Sequence, residues 1–330
     1  HHSKIPQTML HIDQYTAAAE EAVGQLEIPA APAGLYDPVR YTLQAGGKRI
    51  RPVLTLAVAD AISPDGRHLA VNQAAAIELF HNFTLLHDDV MDRADMRRGR
   101  PTVHRQWNEA TAILSGDAML TLAGITMMKG CDQAKLRPVM RLFNRTAMEI
   151  YEGQQYDMDF ESRTDVTVGE YMEMIRLKTS VLLGCACALG AVMTGADETV
   201  TDAFYGYGES LGLAFQLRDD YLDTYGDPAT FGKQIGGDIA CDKKTWLLIN
   251  ALAEDTTGTV AAEISNPSPR EEKIRRVREI YDTLGLPQRC LGLIRRYADN
   301  ATARLATARL QPEALRFFTD LAMLTVDRTR

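Results

Sequence analysis

Cysteine is scarce in this chain and falls into no pattern. Cys131, Cys185, Cys187, Cys241 and Cys290 make an odd count of five. None stands at zinc-site spacing and no Cys-x-x-Cys occurs, which removes a thiolate metal site and a dithiol redox motif. Buried reduced thiols in a cytoplasmic protein are the reading that remains. Positive charge is also short: 36 Lys and Arg against 44 Asp and Glu give a net charge of -8. That disfavours a nucleic-acid partner, although an acidic chain can still hold a small anion where the site is locally basic or metal-loaded. Long uncharged runs are missing except for Thr179 to Ala196. Its Gly, Ala, Cys and Thr content, with Lys178 abutting, reads as a closely packed core helix and not a membrane span. No strand-type alternation is sustained, no low-complexity linker divides the chain, and no solenoid period repeats. No signal peptide is expected, and His1 and His2 before Ser3 read as a purification-tag remnant, so residues 1–3 are set aside.

What is present is helical periodicity over 330 residues, 45% of them hydrophobic and 24% charged. Asn108 to Gly130 reads as one helix. Pro269 to Gly285 reads as another, with a capping box of Ser268 and Glu271, Pro269 in the first turn and Gly285 as its stop. Loops are expected at Ser63–Arg67, Gly99–Pro101, Gly226–Gly237 and Asn266–Pro269. The fold class is all-α, a single domain over 4–330 with about ten or more helices.

Two acidic blocks stand out: HDDVMD, containing Asp88, Asp89 and Asp92, and RDDYLD, containing Asp219, Asp220 and Asp223. Positions i and i+4 share a helix face, so each block presents two carboxylates together with a third alongside. Such a concentration of like charge calls for a cation. Oxygen-only donors favour Mg²⁺, and about three ions would offset six carboxylates, with a diphosphate bridging them. One block alone could be a solvated acidic face; two on apolar helices argue against that.

Basic residues form separate groups. QAGGKRIRP brings Gly47, Lys48, Arg49 and Arg51 together, and glycines let backbone approach an anion that Lys and Arg can bind. Arg97 and Arg98 follow the first block. His81 lies two turns before Asp88 on its stripe and is assigned a polar substrate contact; His87 and His104 are left structural. Lys178 and Thr179 stand at the start of the uncharged run. Gln216 shares the stripe of Asp219 and Asp223, while Lys233 and Lys243 flank a glycine-rich loop that could fold over a diphosphate as a lid.

From about Gly46 to Leu248 the chain resembles the trans-isoprenyl diphosphate synthases, the polyprenyl synthetase family. The resemblance is carried, in order, by GGKRIRP, HDDVMDRADMRRGRP, GQQYD, KTSVLLG, FQLRDDYLDTYGD and GKQIGGDIACDKKTW. It implies mostly antiparallel helices around a deep cavity, usually in a homodimer, with the acidic blocks facing each other. It further implies Asp88, Asp92 and Asp219 as principal Mg²⁺ ligands, with Asp89, Asp220 and Asp223 in support. Lys48, Arg51, His81 and Arg98 match residues that hold isopentenyl diphosphate. Arg97, Lys178, Thr179, Gln216, Lys233 and Lys243 match those around the allylic diphosphate, and Gln154 and Asp157 match a supporting pair near the metals. The reaction implied is ionisation, condensation and elimination. One departure is that the family's Gly-Lys-x-Thr-x-Pro becomes Asp242-Lys243-Lys244-Thr245-Trp246-Leu247.

Product length turns on Phe83 and Thr84, five and four positions before Asp88. A large aromatic there acts as a floor in this family, and Phe83 with the compact first block resembles short-chain synthases of the geranylgeranyl type. Plain core packing is the other role open to Phe83, which stands about 100° around the helix from Thr84. The expectation is C20, then C15, with long-chain products third. A class I terpene cyclase and a non-catalytic subunit of a heteromeric synthase are the alternatives. Against the first stands an all-Asp second block, and against the second stand two intact blocks.

Overall fold

The computed structural model describes residues 9–231 and 235–327, excepting the side chains of residues 230 and 231. The expected tag remnant and Lys233 lie outside the described residues. The helices are α1 (Ile12–Gly24), α2 (Ala33–Gln44), α3 (Ile50–Ile62), α4 (Val71–Asp92), α5 (Val103–Gln106), α6 (Glu109–Met128), α7 (Gln133–Phe160), α8 (Val168–Ile175), α9 (Val181–Met193) and α10 (Glu198–Tyr225). They continue as α11 (Pro228–Phe231), α12 (Gly237–Ala240), α13 (Trp246–Glu254), α14 (Thr259–Ser265), α15 (Arg270–Thr283), α16 (Leu286–Arg304) and α17 (Pro312–Asp327). The all-α expectation holds: the strands among the described residues are β1 (Met96–Arg97) and β2 (Arg100–Pro101), paired antiparallel with Arg97 opposite Arg100.

The chain gathers into two compact units, each built from three separated segments. That interleaving is why no linker is visible in the sequence. The first comprises residues up to Arg145, Cys185–Tyr205 and Thr307–Ala314. Its central α4 buries Ala74, Ala75, Ala76, Phe80 and Phe83, small residues early and aromatic ones later. Thr55 of α3 donates to the Ala186 carbonyl of α9 at 2.7 Å, and Gly190 lets α9 lie directly on α3 backbone. The second unit comprises Thr146–Gly184, Gly206–Ala306 and Leu315–Arg330. Tyr171, Leu217, Trp246, Tyr281, Cys290 and Ile294 form its core. Gly208 and Gly212 of α10 admit the backbone of Leu183 and Ser180.

Local chemistry sets the element ends. Asn108 caps α6 by accepting from the Thr111 N–H at 2.8 Å. The helix expected from Asn108 to Gly130 is therefore present within its caps. The capping box expected for α15 is absent. The helix begins at Arg270 with Pro269 at its N-cap position, so Ser268 falls outside the cap and instead gives its hydroxyl and N–H to Glu263, at 2.7 and 2.9 Å. Gly285 does end the helix, at φ +67°. The expected Gly99–Pro101 loop contributes to the β1–β2 hairpin, whose turn residues Arg98 and Gly99 both have positive φ. The loop from Gly226 holds the single turns α11 and α12.

Two helical stretches are long and apolar enough to cross a membrane, Glu109–Met128 and Val168–Met193. The second, containing most of the uncharged run, has 78% of its apolar window buried in protein, as a core helix should. In the first only 39% is buried, and its Ile113, Leu114, Ile125 and Met128 are exposed.

Candidate active site

In the first unit the basic stretch splits by function. Arg49 takes φ +53° at the head of α3 and turns inward. Its guanidinium donates to Glu20 at 2.8 Å and to the Leu43 carbonyl at 2.6 Å, and lies 3.8 Å from buried Glu78. It holds the loop, while Lys48 stays exposed. Arg51 donates to His81 Nε2 at 3.3 Å. An arginine has no acceptor, so this contact makes His81 Nε2 the acceptor and the ring neutral. Burial, reinforced by the cations of Arg51, Arg98 and Arg97, holds the His81 pKa well below the usual imidazole range.

Arg98 reaches the same place from the hairpin turn. It donates to the Gly46 carbonyl and, at 3.3 Å, to Asn82 Oδ1. Burial lowers its pKa against the attraction of Glu78. Gly47, at φ +127°, lies against this guanidinium: a Cβ there would meet Nη2 at 2.9 Å. Gly47, Arg51, His81 and Arg98 thus come together as expected.

Asp88 and Asp92 occupy the last turns of α4, half-buried and exposed respectively. The helix stops at Arg93, which has φ +54°. Asp89 is turned inward and is 6% exposed. It accepts a two-pronged bond from Arg97, at 2.7 and 2.8 Å. Burial opposes the charge of Arg97, but Asp89, Asp88 and Asp92 outweigh it and raise its pKa. Arg97 is thereby fixed beside the acidic face. Phe83 is 5% exposed. It lies edge-on to His87 at 4.9 Å and against Phe80 at 5.5 Å. Thr84 bonds within its own helix, to the His81 carbonyl at 2.6 Å.

In the second unit the three aspartates of α10 differ sharply. The Asp219 side chain is 60% exposed. Asp220 is 1% exposed. It accepts from the Tyr171 hydroxyl, from the Trp246 N–H at 3.2 Å and from Gln216 Nε2 at 3.3 Å. Burial raises its pKa, while Lys243 and these donors pull the other way. Asp223 accepts the Asp238 N–H on its carboxylate at 2.8 Å and the Gly236 N–H on its carbonyl at 2.7 Å.

The segment from Gly236 to Trp246 is therefore fastened to α10 at both ends. Between the fasteners, Lys243 faces Asp238, Asp220, Asp157 and Asp219. Burial disfavours its charge, but these carboxylates prevail and raise its pKa. Lys178 donates to Asp157 at 2.5 Å from a π-helical turn, Arg176–Ser180, that joins α8 to α9. Thr179 donates to Gln216 at 3.5 Å, and Gly153 admits the Lys178 backbone. Gln154 is buried with neither amide atom hydrogen-bonded to protein. Sequence reasoning missed Asn82, Tyr171, Asp238 and Glu78 as supports of this machinery. Asp238 lay in a quoted motif; nothing in the sequence marks Tyr171.

A family model described as polyprenyl synthetase matches residues 32–284, a span that holds every motif above. The chain belongs to the polyprenyl synthetase family. It is 41% identical over 242 residues to a geranylgeranyl diphosphate synthase of Methanosarcina mazei, covering 73% of this chain and 74% of the relative. A crystal structure of a geranylgeranyl pyrophosphate synthase superposes with a TM-score of 0.92 at 43% identity, over 97% of this chain and 99% of that one. A geranylgeranyl pyrophosphate synthase from Corynebacterium glutamicum, solved with isoprenyl diphosphate and magnesium, has a TM-score of 0.85 at 26% identity, over 97% and 100% of the two chains. This family member is a prenyltransferase that elongates prenyl chains.

Proposed function

We propose that the protein joins isopentenyl diphosphate head-to-tail to an allylic diphosphate, with Mg²⁺, giving a short all-trans prenyl diphosphate and pyrophosphate. The observation that carries this reading is the cluster of Gly47, Arg51, His81 and Arg98. It is a metal-free anion site on the same helix–hairpin unit as an acidic face. An enzyme that only ionises one diphosphate has no use for it.

The residues fit magnesium. Every donor is a carboxylate oxygen. Among the described residues no three metal-binding side chains converge, so Asp88 with Asp92, and Asp219 with Asp223 beside it, would act in pairs. Waters and diphosphate oxygens would complete the shells, the usual habit of this ion. The orphaned Gln154 amide, next in sequence to the Lys178 contact, suits a hydrated surrounding. When bound, the metal supplies charge stabilisation to a departing diphosphate.

Arg97 in the first unit, and Lys178 and Lys243 in the second, each supply fixed positive charge suited to a diphosphate. As the allylic C–O bond breaks, Lys48, Arg51 and Arg98 hold isopentenyl diphosphate so that its double bond meets the cation. A C–C bond forms, and the proton lost leaves with pyrophosphate. Neutral His81 accepts from Arg51 and keeps that guanidinium aimed. We favour a C20 product with Phe83 as the floor, and C15 next. The exposed apolar stripe of α6 suits a second copy of the chain, and five free thiols suit a cytoplasmic setting.

The test is a product assay. Isopentenyl diphosphate is supplied with dimethylallyl, geranyl or farnesyl diphosphate, with Mg²⁺ or with EDTA, and products are sized by mass. Elongation to C20 that EDTA abolishes is expected. A hydrocarbon or alcohol from the allylic substrate alone would overturn the condensation reading.

A further inference from the structure

The turn that carries Lys243 is left-handed at an unusual residue. Asp242 has φ +59°, a conformation glycine adopts freely and other residues adopt at a cost. Its carboxylate receives Lys273 Nζ of α15 at 2.6 Å. Lys273 also donates to the Ala240 carbonyl at 3.3 Å. Lysine is seldom buried without a partner, yet this one is 4% exposed. The next residue, Ile274, presses on the other end of the same segment: a Cβ on Gly236 would stand 2.7 Å from its Cγ2. So α15 touches the segment at its entry and again at the turn before Lys243.

We infer that Lys273 is a positioning residue for Lys243: its ammonium, paired with Asp242, holds the left-handed turn that directs Lys243 toward Asp238, Asp220, Asp157 and Asp219. The inference rests on the prenyl-transfer reading and deepens it. The chain has Asp242 where the family pattern has glycine, and the ion pair explains how that departure is tolerated. A glycine needs no holder for positive φ. An aspartate gains one through its side chain, at the residue immediately before the lysine. The Lys243 N–H then bonds the Asp238 carbonyl at 3.0 Å, closing the turn.

The test compares variants that remove both charges of the pair and differ only in tolerance of positive φ. Asp242→Gly/Lys273→Met should keep kcat and the affinity for magnesium pyrophosphate within about threefold of the parent, because glycine holds the turn unaided. Asp242→Ala/Lys273→Met should lose about tenfold in both, because alanine resists it. Lys273→Met alone should resemble the alanine double variant. Kinetics, calorimetric titration with magnesium pyrophosphate and melting curves are recorded for each. Equal kcat and pyrophosphate affinity in the two double variants would overturn the inference, as would a Lys273→Met enzyme that melts earlier but turns over normally. A parent enzyme that elongates nothing would instead overturn the prenyl-transfer reading, and this inference with it.

Discussion

The guanidinium of Arg98 rests against the bare α-carbon of Gly47, at the distance where a methyl group would touch it. An alanine there must displace the guanidinium and accept φ +127°. Gly47→Ala is expected to raise KM for isopentenyl diphosphate by about ten- to a hundredfold, with kcat at saturation changed far less. Steady-state kinetics decide it, and an unchanged KM would remove Gly47 from the site.

Asp219 and Asp220 are neighbours with opposite consequences. Asp219→Ala should cut turnover by roughly a thousandfold or more while the melting temperature holds, since its side chain is largely solvated. Asp88→Ala should behave alike. Asp220→Ala strands the Tyr171 hydroxyl and the Trp246 N–H. At about 1–3 kcal/mol for each unsatisfied group, the melting temperature should fall by roughly 5–10 °C. Calorimetry beside the activity assay separates the two, and a normally active Asp219→Ala would refute the metal assignment.

How much of this was legible beforehand follows from what side-chain chemistry alone can express. The helices, the i,i+4 carboxylates and the clustering of Gly47, Arg51, His81 and Arg98 were readable from periodicity and the family motifs. Burial was not. Asp219 and Asp220 are the same letter, and only packing against Tyr171 and Trp246, far away in sequence, distinguishes them. The α15 cap failed for a similar reason, because Pro269 took the N-cap position and Ser268 turned to Glu263, a partner the local pattern does not mark. The exposed face of α6 was missed because its apolar residues match those of a core helix.

His81 gives a pH signature. Its folded pKa lies below the ordinary 6.5. As pH drops below about 6.5, the unfolded chain takes up a proton that the folded chain refuses, so stability falls. The fall continues until the folded pKa is passed, by at most about 1.4 kcal/mol per pH unit. Above pH 6.5 both states are neutral there and the effect vanishes. Urea midpoints at about pH 5 and 7.5 should therefore differ less in His81→Gln than in the parent.

Phe83→Ala should lengthen the product beyond that of the parent. Mass analysis of extracted prenyl chains reads this directly. An identical product would assign Phe83 to core packing with Phe80 and His87.

The α6 stripe predicts self-association. Leu114→Asp with Ile125→Asp should convert a dimer to a monomer in analytical ultracentrifugation. A parent chain that sediments as a monomer would count against it.

The three letters D in RDDYLD are different parts of one mechanism: an open contact and two rivets holding a flap of backbone. An alanine scan scored by activity alone would report them as equals. Redesigning this motif to accept another metal or leaving group would have to begin by replacing the rivets, since the flap that carries Lys243 is fastened by the very residues being exchanged.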